Sequence, residues 1–166
     1  AVAVAFAKEG ADVVIAHLAE PEDASHTCDL ITAEGRRALS IEGDLADPNH
    51  CRDVVTQTVE TLGGLDILVN NVAFQNPVDD FLELTPEQWY RTFDVNIHSF
   101  FHVTRAAVEH LTGGGAIINT GSINGLRGNK TLIDYSAAKG AVTALTYSLA
   151  QSLLEQGITG MKIWPF

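Results

Sequence analysis

Tyr135 and Lys139 stand four positions apart in "DYSAAKGAVTALTYSLAQSL", a stretch otherwise rich in small and apolar residues. Four helical steps place them about 40° apart on one face. A structural helix gains little from an ammonium beside a phenol. A catalytic one gains a base: a free phenol titrates near 10, and a neighbouring cation favours its ionised form. Such a pair can take a proton from an alcohol or give one to a carbonyl oxygen. Ser122 lies thirteen residues earlier, at the end of the apolar run "AIINT", where a hydroxyl can hold a substrate oxygen.

These residues need elements to position them. The sequence predicts a helix that ends at Gly10, then a buried strand at "DVVIAHL". A polar helix follows from about Glu20 to Glu34, and a second strand at "RALSIEGDL". Asp47 caps a helix through about Leu62, with Pro48 in its first turn. "LDILVN" is a third strand, and a loop with a short helix covers Ala73 to Leu84. Thr85 caps a long helix ending near Leu111. "AIINT" is a fourth strand, Asp134 caps the helix of Tyr135 and Lys139, and "MKIW" is a candidate fifth strand. This alternation predicts a parallel sheet with helices on both faces. Ligands of such sheets sit beyond the carboxyl ends of the strands. Asp44, Asn70-Asn71 and Gly121-Ser122 occupy those places.

The 166 residues allow one domain with a real core, and 46% are hydrophobic. Acidic residues outnumber basic ones by 21 to 10, for a net charge of -11. That balance argues against a nucleic-acid partner, and no apolar run is long enough to suggest a membrane span. Cys28 and Cys51 show no metal-like spacing and suit a cytoplasmic protein. His98 and His102 lie one turn apart but lack an evident third ligand, so no metal site is expected. Arg127 and Lys130 read as a solvated loop. Gly113-Gly114-Gly115 joins a helix to a strand and reads as a helix stop rather than a phosphate loop.

"NNVA" at Asn70, "DVNIHSFF" around Asn96, "INTGS" ending at Ser122 and "YSAAK" at Tyr135 keep one order and spacing. Together they resemble the short-chain dehydrogenase/reductase family in its single-domain branch. "GDLAD", "NNVAFQ" and "RGNKTLIDYSAAKGA" are most similar to bacterial members related to general stress proteins and aldehyde reductases. The resemblance covers essentially the whole chain. It implies a doubly wound, Rossmann-like α/β domain that uses NAD or NADP to interconvert a small-molecule alcohol and carbonyl.

By that resemblance Tyr135 is the catalytic acid/base. Lys139 assists it and bonds the nicotinamide ribose, Ser122 stabilises the substrate oxygen, and Asn96 holds a relay water. His17 and Leu18 border the adenosine ribose, where neither an acidic residue nor an arginine decides between NAD and NADP. Asp44 and Leu45 border the adenine. Asn70, Asn71, Val72, Ala73, Thr120 and Pro165 line the cofactor. The family's usual Asn-Asn-Ala-Gly is Asn-Asn-Val-Ala here, and Phe166 replaces a glycine. The resemblance also implies a dimer or tetramer built through the two long helices, with Phe100, Phe101 and Leu149 as candidate contacts.

The chain opens on a helix already under way, and the family's glycine-rich turn would precede Ala1. The expectation is therefore a single incomplete domain, residues 1–166, cut at both ends. Without its first strand the sheet is expected to keep a gap or to pair the strands at Asp12–Leu18 and Leu65–Asn70 directly, the remaining strands staying parallel. The alternative function is a catalytically inactive remnant that serves as an interaction module.

Overall fold

A computed structural model describes residues 1–111 and 113–163, with side chains described through residue 159. The chain forms two compact units, Ala1–Gly64 and Leu65–Phe166. Both are α/β, and each holds its own parallel sheet.

In the first unit, helix α1 (Val2–Lys8) leads to strand β1 (Val13–His17), helix α2 (Pro21–Ala33), strand β2 (Ala38–Glu42) and helix α3 (Pro48–Leu62). β1 and β2 pair in parallel, with Val13 opposite Ala38 and His17 opposite Glu42. Asp47 caps α3 as expected, accepting from the Asn49 amide at 2.8 Å, with Pro48 fixing the first turn. Gly63 ends the helix at φ 91°, a conformation that side chains disfavour. Cys51, Val54, Val55 and Thr58 recur at helical spacing and form the buried face of α3. Asp12, just before β1, accepts from the Arg37 amide and guanidinium at 2.9 and 2.7 Å. Arg37 in turn donates to the Leu62 carbonyl at 2.9 Å, tying the strand entry to the end of α3.

The second unit contains strand β3 (Ile67–Asn70), a short 3₁₀ turn (Phe81–Glu83) and helix α4 (Pro86–Phe93). A π turn (Asp94–His98) carries α4 into helix α5 (Ser99–Val108). Strand β4 (Ala116–Thr120), the short helix α6 (Asn124–Arg127), helix α7 (Ile133–Ser152) and strand β5 (Thr159–Ile163) follow. The sheet order is β3-β4-β5, all parallel. The core gathers Phe100, Ala107, Ile117, Ala138 and Val142, each essentially inaccessible to solvent.

Four local expectations are corrected. The long helix from Thr85 is interrupted: its cap is as expected, with the Thr85 hydroxyl accepting from the Gln88 amide at 3.2 Å, but residues 94–98 adopt the wider π turn. Asp134 does not cap α7, which begins one residue before it. The helix α6 within the 121–133 loop has only four residues, too short to leave a periodic signal. Phe100 is core, whereas Phe101 is 47% exposed.

Candidate active site

α7 positions two of the four expected catalytic side chains. Lys139 is 1% exposed and Tyr135 8%. The Lys139 ammonium lies 5.8 Å from the centre of the Tyr135 ring and 5.0 Å from that of Phe100. It donates to the Thr120 carbonyl at 3.0 Å. Burial pushes the amine down from its ordinary 10.5 to about 8. It therefore remains mostly cationic at neutral pH.

Thr120, the last residue of β4, works in two directions. Its carbonyl accepts the hydrogen bond from the Lys139 ammonium, and its hydroxyl donates to Asn71 Oδ1 at 2.7 Å. Ser122 follows two residues on, buried at 6% exposure, its Oγ accepting from the Asn124 amide at 3.2 Å. α6 then lies directly on α7. A Cβ built on Gly125 would stand 2.6 Å from the Lys139 carbonyl carbon and 2.8 Å from the Gly140 nitrogen. Only glycine permits that backbone approach.

Asn96 sits inside the π turn and is fully buried. Its Nδ2 donates to the carbonyls of Phe74 and Thr92 at 2.7 and 2.8 Å, and its Oδ1 accepts from the Phe74 amide at 3.2 Å. Both side-chain hydrogens are thus committed to the backbone. π turns recur at functional positions because the extra residue interrupts regular helical hydrogen bonding. Asn70 ends β3 and donates to Thr104 Oγ1 at 3.1 Å and Asn119 Oδ1 at 2.8 Å. Asn119 donates onward to Thr146 Oγ1 at 3.0 Å. This buried polar chain joins α5, β3, β4 and α7 behind the site. Val72 is half-buried and Ala73 exposed in the extended stretch beyond β3.

The first unit carries a separate group. The Gly43 amide donates to the His17 carbonyl at 2.9 Å, bringing the ends of β1 and β2 together. His17 Nδ1 accepts from the Glu20 amide at 3.3 Å, and Leu18 is 51% exposed. Asp44 Oδ1 accepts from the Ala46 amide at 2.9 Å, while the Leu45 carbonyl accepts from the Cys51 thiol at 3.1 Å. Pro165 lies outside the described residues.

No group of three or more metal-ligating side chains occurs among the described residues. His98 instead meets Asp94 at 2.8 Å on the exposed side of the π turn. No described helix is long and apolar enough to cross a membrane.

Sequence reasoning missed Asp134, Thr92, Asn119 and Gly125. Asn119 had a signal, an amide inside the apolar strand "AIINT". Asp134 had a misleading one, because an acidic residue at a helix start ordinarily reads as an exposed cap.

The model of the family described as short chain dehydrogenase matches residues 1–166. The chain belongs to the short-chain dehydrogenase family. It is 51% identical over 165 residues to an uncharacterized oxidoreductase of Bacillus subtilis, YhdF, covering 99% of this chain and 57% of that one. General stress protein 39 of the same organism is 49% identical, with 99% and 58% covered. The chain thus spans little more than half the length of these relatives. Among solved structures, a short chain dehydrogenase from Burkholderia cenocepacia in complex with NADP superposes with a TM-score of 0.94 at 36% identity. The match covers 99% of this chain and 68% of the other. The Rossmann-like α/β class and the stress-protein branch of this dehydrogenase family are therefore those expected from the motifs.

Proposed function

We propose that this protein interconverts an alcohol and a carbonyl compound with NAD or NADP, using Ser122, Tyr135, Lys139 and Asn96. The observation that carries the proposal is Lys139: a buried ammonium one helical turn beyond a buried tyrosine, anchored on the end of β4. An ammonium has three N–H donors, and one of them bonds the Thr120 carbonyl. The remaining donors suit the two hydroxyls of a nicotinamide ribose, so the residues fit the cofactor.

His17, Leu18, Asp44 and Leu45 serve the adenosine part in this proposal. Asn70, Asn71, Val72, Ala73 and Thr120 line the cofactor in this proposal, Asn70 also bracing the sheet through Thr104 and Asn119. NADP is the dinucleotide bound in the Burkholderia cenocepacia structure, and NADPH is named for an Arabidopsis thaliana aldehyde reductase 38% identical to this chain. These relatives favour NADP.

When bound, the dinucleotide supplies or accepts the hydride. The chain's own residues handle the proton. In reduction, Tyr135 gives its hydroxyl proton to the substrate oxygen while the Ser122 hydroxyl donates to the same oxygen. The Lys139 ammonium stabilises the charge left on the phenol oxygen. Asn96 shapes the π turn through which a relay water reaches Lys139. Oxidation of an alcohol runs the same proton path backwards.

The protein acts in the cytoplasm as a homo-oligomer in this proposal. α5 and α7 share an apolar groove of about 230 Å³ lined by Phe101, Thr104, Arg105, Val108, Leu145 and Leu149. A second copy is its occupant.

The deciding experiment replaces Tyr135 with Phe in the full-length protein and follows NADPH or NADH oxidation with a panel of aldehydes. Turnover should fall by about 10²- to 10⁴-fold while dinucleotide binding, read by fluorescence titration, persists. Near-normal turnover would overturn the mechanism.

A further inference from the structure

Among the described residues of the second unit, Asp134 is the one fully buried carboxylate, at 1% exposure. Burying a carboxylate is costly unless its oxygens are well bonded. Here they are. Oδ1 accepts from the Tyr135 amide at 2.8 Å. Oδ2 accepts from the Thr92 hydroxyl at 2.6 Å and from Gln88 Nε2 at 3.2 Å. Bonds to a charged acceptor are stronger than neutral ones.

The partners of Asp134 lead to the other half of the catalytic set. Thr92 is fully buried near the end of α4, and its carbonyl accepts from Asn96 Nδ2 at 2.8 Å. Gln88 grips the stretch beyond β3: its Nε2 donates to the Asn76 carbonyl at 2.7 Å and its Oε1 accepts from Asn76 Nδ2 at 2.8 Å. Asn96 holds the same stretch at Phe74. One residue, Thr92, therefore faces Asp134 with its side chain and Asn96 with its backbone.

We propose that Asp134 is a positioning residue: through Thr92 it locks the start of α7, which carries Tyr135 and Lys139, to the π turn that carries Asn96. A simple helix cap would need only local amides and could sit in water. This carboxylate is instead sealed between α4 and α7. Its removal would let the two helices shift by fractions of an ångström, and proton transfer depends steeply on such alignment. The inference rests on Tyr135 acting as the proton-transfer group.

The test uses the full-length protein and four variants: Thr92→Val, Thr92→Ser, Asp134→Asn and the double variant Thr92→Val/Asp134→Asn. Valine keeps the shape and the backbone carbonyl of Thr92 and removes only the hydroxyl. Thr92→Val and Asp134→Asn should each lower kcat about tenfold, with KM and dinucleotide affinity changed by no more than about twofold. Thr92→Ser, which keeps the hydroxyl, should stay within about twofold of the parent, and the double variant should be no worse than the worse single one.

Tyr135→Phe is assayed in parallel. If it is inactive while Thr92→Val and Asp134→Asn keep parental kcat, the positioning role is overturned and the role of Tyr135 stands. Losses that multiply in the double variant overturn it too. If Tyr135→Phe keeps turnover, the proposed mechanism fails and this inference with it. Should Asp134→Asn fail to fold, the contrast of Val with Ser at position 92 decides alone: a loss with Val and none with Ser supports the role, and equal kcat overturns it.

Discussion

The ammonium of Lys139 donates to the carbonyl oxygen of Thr120, 3.0 Å away, and so joins the helix of the candidate catalytic pair to the end of the central strand. Two aromatic rings flank it, Phe100 at 5.0 Å and Tyr135 at 5.8 Å from their centres. Desolvation therefore acts on a single, well-placed amine.

That burial has a pH signature. The amine titrates at about 8 when folded and at the ordinary 10.5 when unfolded. Below about 8 it is protonated in both states, and the burial penalty is present in full. Between about 8 and 10.5 the unfolded chain binds more protons, so this group's contribution to stability rises with pH. Lys139→Met should therefore gain most in Tm over the parent below pH 8. The gain should shrink steadily up to about 10.5. Paired melting curves across that range check it, and a pH-independent difference would sink it.

Gly125 tests how tightly α6 must lie on α7. The atoms that an added Cβ would meet at 2.6–2.8 Å are backbone atoms of Lys139 and Gly140, which cannot rotate away. Gly125→Ala should cost about 1–3 kcal/mol of stability and lower kcat, because Ser122 must move relative to Tyr135. Gly140→Ala meets only the Gly125 oxygen at 3.3 Å and should be milder. Thermal denaturation of both variants gives the order; the reverse order contradicts the packing described.

The alternation of strands and helices was legible because each element carries its own period and punctuation. Asp47 and Thr85 announce helix starts, and Gly63 fits the end of α3. Tyr135 and Lys139 were legible because a polar pair breaks an otherwise apolar and small-residue helix. The π turn around Asn96 was not. It adds a residue to a helical turn without any special residue type, so the sequence shows one uninterrupted helix. Asp134 was misplaced for a related reason. Helix starts favour acidic residues, and nothing local shows that α4 will cover this one. Thr92 and Gln88, which face it, lie more than forty positions earlier.

Asn119 should behave as the hub of the buried polar chain. It accepts from Asn70 and donates to Thr146, at 2.8 and 3.0 Å. Asn119→Ala should destabilise the protein by about 1–3 kcal/mol, since buried partners lose hydrogen bonds that water cannot replace. A double-mutant cycle with Asn70→Ala should show a coupling of about 0.5–3 kcal/mol. Strict additivity in urea unfolding would mean the two amides act independently.

The groove between α5 and α7 gives the last prediction. Val142 of α7 and Leu153 just past its end are buried, whereas Leu145 and Leu149 are only half-buried and line the groove with the exposed Phe101. An apolar stripe divided in this way serves two surfaces, one inside the fold and one available to a second copy. The full-length protein should sediment as a dimer or tetramer at micromolar concentration. Phe101→Glu should weaken that assembly, because a carboxylate buried between two apolar helix faces lacks a partner. Phe100→Glu differs: Phe100 is fully buried beside Lys139, so that change should unfold the protein rather than dissociate it. Sedimentation velocity with circular dichroism separates the outcomes. A parent that runs as a clean monomer, or a Phe101→Glu variant with unchanged assembly, would show that this face is not the contact.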